Sequence, residues 1–267
     1  MTMTHTRRNF LTLGGVAAAG AVLGAVSVRA AGEPTLGLIF PPLNYPIPPD
    51  ARRLYPSGVQ FVGNGVGLPG GMTIQGYEEA IPRVIPAAKA LAAQGASVVS
   101  VFGSSLTFYK GRAFHEDLIA RVAQAAGVPV TTQSAGLLDG LKTIGARRVA
   151  VATAYTDEVT ERLKVFLEEY GFVVTATKGL GFTQIPEGAA TRDILFTLGS
   201  QSYAQSKGAD ALVLSCGRLD TLDLLSPLEG HIKVPVVSST PHGLMNGVRL
   251  LGLSPRAQGF GTVFARA

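Results

Sequence analysis

Apolar residues recur along this chain in two alternating rhythms. Short runs rich in Val, Ile and Leu stand at residues 36–40, 97–102, 128–132, 148–153, 173–176, 211–215 and 234–238. Such short, apolar, β-branched runs read as buried strands. Between them, segments 81–93, 112–126, 136–144, 157–170, 192–207 and 243–251 space their apolar residues three and four apart, as amphipathic helices do. Strands alternating with helices predict an α/β fold with mostly parallel sheets and helices on both faces.

The pattern repeats once. The run from Val128 to Gly145 parallels that from Val234 to Gly252, each opening on Val-Pro-Val. One inserted residue aligns Gly136 with Gly243, Gly140 with Gly247 and Gly145 with Gly252. Ahead of each run a strand ends in a small polar loop, Gly103-Ser104-Ser105 in one case and Cys216-Gly217-Arg218 in the other. Two pseudo-symmetric Rossmann-like halves follow, residues 31–133, completed by the C-terminal segment, and residues 134–267. Their strand-end loops would face each other across a cleft, where ligand sites gather.

Residues 1–30 are set apart from this pattern. Thr6-Arg7-Arg8-Asn9-Phe10-Leu11 precedes a Gly- and Ala-rich, weakly apolar stretch that runs to Val28. Paired arginines in that setting read as a twin-arginine export signal. Val28-Arg29-Ala30 offers small residues for cleavage after Ala30. The expectation is a periplasmic or exported protein, carried by the twin-arginine machinery, with no stable membrane anchor after cleavage. Without the signal, 23 basic residues fall to 20 against 18 acidic ones. No basic block remains and Trp is absent, so no footprint for nucleic acid is seen.

Candidate chemistry gathers at the strand ends. Cys216 is the chain's one cysteine, so no internal disulfide can form. A lone cysteine is more often a small buried hydrophobe than a catalyst. The Ser-Cys-Gly setting favours chemistry, because Gly217 lets a ligand approach the backbone closely. Gly103-Ser104-Ser105 offers hydroxyls and backbone N–H groups that suit an anion nest, or else a serine cap for the next helix. Tyr155 falls just past a strand end, where its hydroxyl can donate to an anion or simply pack. Pro41 and Pro42 stiffen the first strand's loop into an apolar wall. His115, His231 and His242 are scattered without metal-ligand spacing, and His242 reads as a cap or surface residue. No dinucleotide or phosphate-loop fingerprint is present. No metal, nucleotide or flavin cofactor is expected.

Several runs together carry a resemblance across residues 35–265: Gly37-Leu-Ile-Phe-Pro-Pro42, Ala51-Arg-Arg-Leu-Tyr-Pro56, Gly103-Ser-Ser-Leu-Thr-Phe-Tyr-Lys-Gly111, Ala150-Val-Ala-Thr-Ala-Tyr155 and Leu214-Ser-Cys-Gly-Arg-Leu-Asp-Thr-Leu-Asp223. The chain resembles the arylmalonate decarboxylases, within the aspartate/glutamate racemase superfamily that includes maleate isomerase. In racemases of that superfamily both strand ends bear cysteine. In the decarboxylases the first is glycine, the pattern of Gly103 and Cys216.

The resemblance implies a cofactor-independent decarboxylase acting on a small dicarboxylate of the substituted malonate type. Ser104, Ser105, Tyr155 and the backbone at Cys216 and Gly217 would hold one carboxylate in a dioxyanion hole. Pro41, Leu68, Met72, Tyr77 and Ile185 match the wall around the other, with Gly103 beside them. Cys216 would protonate one face of the enediolate. Two alternatives remain open at this point. A racemase or cis–trans isomerase needs a second acid opposite Cys216. A periplasmic carboxylate-binding protein needs no thiol. The resemblance also sets Arg218 and Asp220 apart, in a stretch usually less charged, and puts Ser104 where threonine is common.

Overall fold

The computed structural model describes residues 1–2 and 32–267, of which Glu33–Ala267 form one compact unit. The export signal and its cleavage site after Ala30 lie outside the described residues. The compact unit is α/β with two four-stranded parallel sheets. Strands β1 (Thr35–Phe40), β2 (Gln60–Gly65), β3 (Val98–Val101) and β4 (Val130–Thr132) form the first in the order β2-β1-β3-β4. Strands β5 (Arg148–Tyr155), β6 (Val173–Phe182), β7 (Ala211–Ser215) and β8 (Val236–Ser238) form the second in the matching order β6-β5-β7-β8. The central strands are buried on both faces, which explains their unbroken apolar character.

In the first half the helices are α1 (Pro49–Leu54), α2 (Ile74–Ala80), α3 (Val84–Ala93), α4 (Ser104–Phe108) and α5 (Gly111–Ala126). They are followed by α6 (Gln133–Thr143), α7 (Asp157–Glu169), α8 (Arg192–Gln205), α9 (Leu225–Ile232), α10 (Ser239–Leu250) and α11 (Thr262–Arg266). Thr132 and Thr156 cap α6 and α7 by accepting a hydrogen bond from the backbone three residues on, which satisfies an otherwise orphaned N–H.

The repeated glycines have distinct structural uses. Helices α6 and α10 cross at Gly136 and Gly243, where a Cβ on Gly136 would stand 2.7 Å from the Gly243 Cα. Each helix follows the last strand of one sheet and packs on the other sheet. A Cβ at Gly140 of α6 would stand 2.9 Å from Val237 in β8, and one at Gly247 of α10 would stand 2.7 Å from Leu36 in β1. Gly145 and Gly252 follow the two helices with φ of 70° and 76°, the left-handed conformation that ends a helix. Arg249 of α10 pairs with Asp139 of α6 at 2.6 Å and fastens the crossing.

Several element boundaries differ from the sequence reading. Strand β2 was not expected. Its Gly63-Asn64-Gly65 end lacks apolar alternation, and a side chain at Gly65 would overlap the carbonyls of Pro42 and Leu43. Strand β6 runs six residues beyond the expected 173–176, as a half-exposed edge. Helices α6 and α10 begin three and four residues earlier than their apolar spacing indicates. His242 is not a surface residue. It is fully buried in α10, where its Nδ1 accepts a 2.9 Å bond from the N–H of Ser238 at the helix cap. Burial lowers its pKa to about 4, so the ring stays neutral.

Candidate active site

Parallel strands run their carboxyl ends toward one side of a sheet, and here both sheets deliver those ends to a shared cavity of about 220 Å³. The first half contributes Pro41 after β1 and Gly103 and Ser105 after β3. The second contributes Tyr155, the last residue of β5, Ile185 beyond β6, and Cys216 and Gly217 after β7. Leu68 and Met72 come from the loop after β2. The Met72 N–H donates to the Thr183 carbonyl at 2.6 Å, so that loop is tied to the one carrying Ile185. One apolar wall is thereby assembled from both halves.

Two residues named from the sequence stand behind the cavity rather than in its wall. The Ser104 side chain is fully buried, hydrogen-bonded to the Tyr155 hydroxyl at 3.0 Å and to the Ser239 hydroxyl at 3.0 Å, with Ser215 at 3.3 Å. Tyr77 is fully buried against Tyr109, ring centroids 5.3 Å apart. Its hydroxyl has no hydrogen bond of ordinary geometry, although Ser105 is near enough to offset slightly the upward push of burial on the phenol. Ser104 does not serve as a helix cap. Gly103 takes that position with φ of 90°, and Ser104 opens the helix.

Gln133 was missed from the sequence. It is fully buried at the start of α6, and its Oε1 accepts from the N–H of Gly103 at 2.8 Å and from that of Ser104 at 3.0 Å. Its Nε2 donates to Thr240 Oγ1 at 2.9 Å, and Thr240 donates on to the Gly217 carbonyl at 3.0 Å. The backbone N–H groups read as an anion nest at residues 103 and 104 are therefore occupied by a side chain. Through Thr240 the same side chain ties the two strand-end loops together.

The environment of Cys216 keeps it a thiol. It is 3% exposed, and its Sγ lies 3.8 Å from Met72 Sδ. Burial pushes its pKa above the ordinary thiol value, partly offset by the Arg218 N–H, the Tyr155 hydroxyl and the Arg218 charge. Burial likewise keeps Tyr155 a neutral phenol, able to donate. Opposite, Gly103 has no room for a side chain, since a Cβ there would overlap Pro41 Cγ. Of the two matching strand ends at the cavity, one thus carries a thiol and the other none. Among the described residues, no group of three or more His, Cys, Asp or Glu is placed to hold a metal ion. No helix among them is long and apolar enough to cross a membrane.

Comparison with known proteins places this geometry. The sequence profile of the arylmalonate decarboxylase family matches residues 36–264. The arylmalonate decarboxylase of Bordetella bronchiseptica is 42% identical over 240 residues, covering 89% of this chain and 99% of that protein. A doubly substituted arylmalonate decarboxylase, solved in its liganded form, superimposes with a TM-score of 0.84 at 41% identity, covering 88% of this chain and all of that one. A maleate cis–trans isomerase from Nocardia farcinica shares the fold, with a TM-score of 0.74 at 18% identity, over 88% of this chain and all of that one. A family match over nearly the whole compact unit, together with a relative of this identity and coverage, shows that the chain belongs to the arylmalonate decarboxylase family.

Proposed function

We propose that this protein is a cofactor-independent carboxy-lyase that removes one carboxylate from a substituted malonate and protonates the product on one face. Family membership supports a decarboxylase. The observation that carries the finer reading is the asymmetry of the cavity, with Cys216 at one strand end and Gly103 at its counterpart.

One carboxylate of the substrate accepts hydrogen bonds from Ser105, Tyr155 and the Gly217 loop. Ser104 holds the Tyr155 hydroxyl in place from behind. The other carboxylate faces the wall of Pro41, Leu68, Met72 and Ile185, where charge is poorly solvated. Its bond to the α-carbon breaks, neutral CO₂ leaves, and the electron pair passes into the retained carboxylate as an enediolate. Donors already in place meet that charge as it grows, each worth roughly 10²–10³ in rate. The Cys216 S–H bond then breaks as a C–H bond forms at the α-carbon, and the thiolate regains its proton from water. An isomerase or racemase would need an acid at Gly103 as well.

CO₂ release from a panel of malonates in D₂O tests this reading. One deuterium on the α-carbon and a single enantiomer are expected from the wild type, and Cys216→Ala should lose turnover by several orders of magnitude. Near-normal turnover and unchanged handedness in Cys216→Ala would sink the assignment. Export through the twin-arginine pathway belongs to the same proposal. Arg7→Lys with Arg8→Lys should retain the protein in the cytoplasm, and continued export would refute it.

A further inference from the structure

The cavity wall has one side chain of formal charge among the described residues, Arg218. It sits two residues beyond Cys216 and is exposed at the cavity mouth. The ion pairs among the described residues leave it out, whereas nearby Arg53 is held by two hydrogen bonds to Asp223, at 2.9 and 2.5 Å. Tyr45 also lines the cavity, half-buried with its ring 5.1 Å from that of Phe40. Its hydroxyl has no hydrogen-bonding partner among the described residues. Both side chains line the same cavity, and the guanidinium lies within electrostatic reach of the phenol, partly offsetting the upward push of burial; Cys216 acts on the same phenol. Asp50 and Asp220 lie near Tyr45 as well, but neither lines the cavity.

We infer that Arg218 and Tyr45 form a subsite for an anionic group on the substrate's substituent, so that the substrate is a malonate bearing a third carboxylate. This rests on the decarboxylase reading, which sets the α-carbon beside Cys216. From there the geometry is short-range. Two residues of chain span at most about 7 Å, so the arginine is anchored close to the residue that faces the reacting carbon. The hydroxyl hole and the apolar wall take the two malonate carboxylates. What remains for the substituent is the mouth, where planar guanidinium donors and a phenolic O–H stand without partners. A carboxylate can accept two parallel bonds from the guanidinium and one from the phenol. An uncharged aryl group would leave these donors to water.

The test compares phenylmalonate with 4-carboxyphenylmalonate. The wild type should favour the carboxylated substrate in kcat/KM by about ten- to a hundredfold, the range of a charge-assisted hydrogen bond. Arg218→Gln should bring the ratio to about one, and Arg218→Lys should keep part of it. Calorimetry with phenylacetate and 4-carboxyphenylacetate gives the same comparison without turnover. Release of CO₂ from phenylmalonate with no charge preference, or a preference that survives in Arg218→Gln, would overturn the subsite and leave the decarboxylase reading intact. If neither malonate loses CO₂ while the binding preference exists and disappears in Arg218→Gln, the subsite stands and the decarboxylase reading falls. Absence of both turnover and binding preference removes both.

Discussion

Replacing Gln133 by leucine keeps the side-chain volume close to the original and removes both its acceptor and its donor. The Ser104 N–H, buried in the native protein, then has no acceptor. An unsatisfied buried amide costs about 1–3 kcal/mol. The Gly103 N–H is only part-buried, and a cavity water can replace the lost bond, so its contribution is smaller. For a domain of this size each kcal/mol moves Tm by about 2–4 °C, which gives a fall of roughly 2–12 °C for Gln133→Leu. Gln133→Glu keeps the acceptor, and below neutral pH, where the buried carboxyl is protonated, its O–H replaces the lost N–H donor to Thr240, so it should fall less under those conditions. Thermal unfolding followed by circular dichroism reads both. Turnover should drop in kcat more than it rises in KM, because loosening the Gly103–Ser104 loop disturbs Tyr155 through Ser104. A Gln133→Leu protein as stable as the wild type, with an unchanged kcat, would refute the bridging role.

Gly103→Cys should destabilise the protein by about 2–4 kcal/mol, from its left-handed backbone and from the overlap with Pro41, and adding Pro41→Ala should recover part of this in chemical denaturation. The same variant should slowly racemise its monoacid product, and a product that stays enantiopure would argue against one-sided protonation. If Cys216 is the proton donor we propose, it must be protonated to act, and because burial raises its pKa activity should hold through neutral pH and decline only as pH rises past the ordinary thiol value of 9.0. A loss centred well below that value would contradict the raised pKa of the thiol. Asp50 is raised from 3.8 to about 6 by burial and by Asp220, so the folded state binds its proton more tightly than the unfolded chain does. Its charge therefore costs stability above pH 6, on the order of 2–3 kcal/mol, and that cost disappears as pH falls toward 4. Asp50→Asn should be more stable than the wild type at pH 8 and equal to it near pH 4, and a stability difference independent of pH would show that Asp50 does not titrate in this way.

How much of this was legible in the sequence follows from what each residue must satisfy. The central strands β1, β3, β5 and β7 are buried on both faces, and nothing but short apolar residues fits there, so their runs are plain. Strand β2 instead passes under the Pro42–Leu43 loop, and the glycine this demands looks like a turn. Helices α6 and α10 open with polar residues turned inward, Gln133 and Ser134 in one and Ser239, Thr240 and His242 in the other. Apolar periodicity therefore starts too late to mark them. The site residues that end strands, Tyr155 and Cys216, were legible because strand ends are where such sites collect, and Gly103 because the repeat sets it opposite Cys216. Tyr77 and Ser104 were named for the site, but no pattern tells whether a side chain stands in a wall or one layer behind it. A glutamine that binds backbone amides has no signature of its own.

The crossing of α6 over α10 has a consequence for how the cavity can behave. Each helix follows the last strand of one sheet and packs on the other, so the sheets are laced together rather than hinged. Pulling the two sheets far apart would disturb the packing of both helices and the contact at Gly136 and Gly243. A cleft built this way is more restrained than one between two lobes on a flexible linker. The crossing restrains its width, and side chains and the loops at the mouth have more freedom to adapt to what enters. It also follows that the two sheets, although separately hydrogen-bonded, should melt in a single step, and that neither half expressed alone should hold its shape.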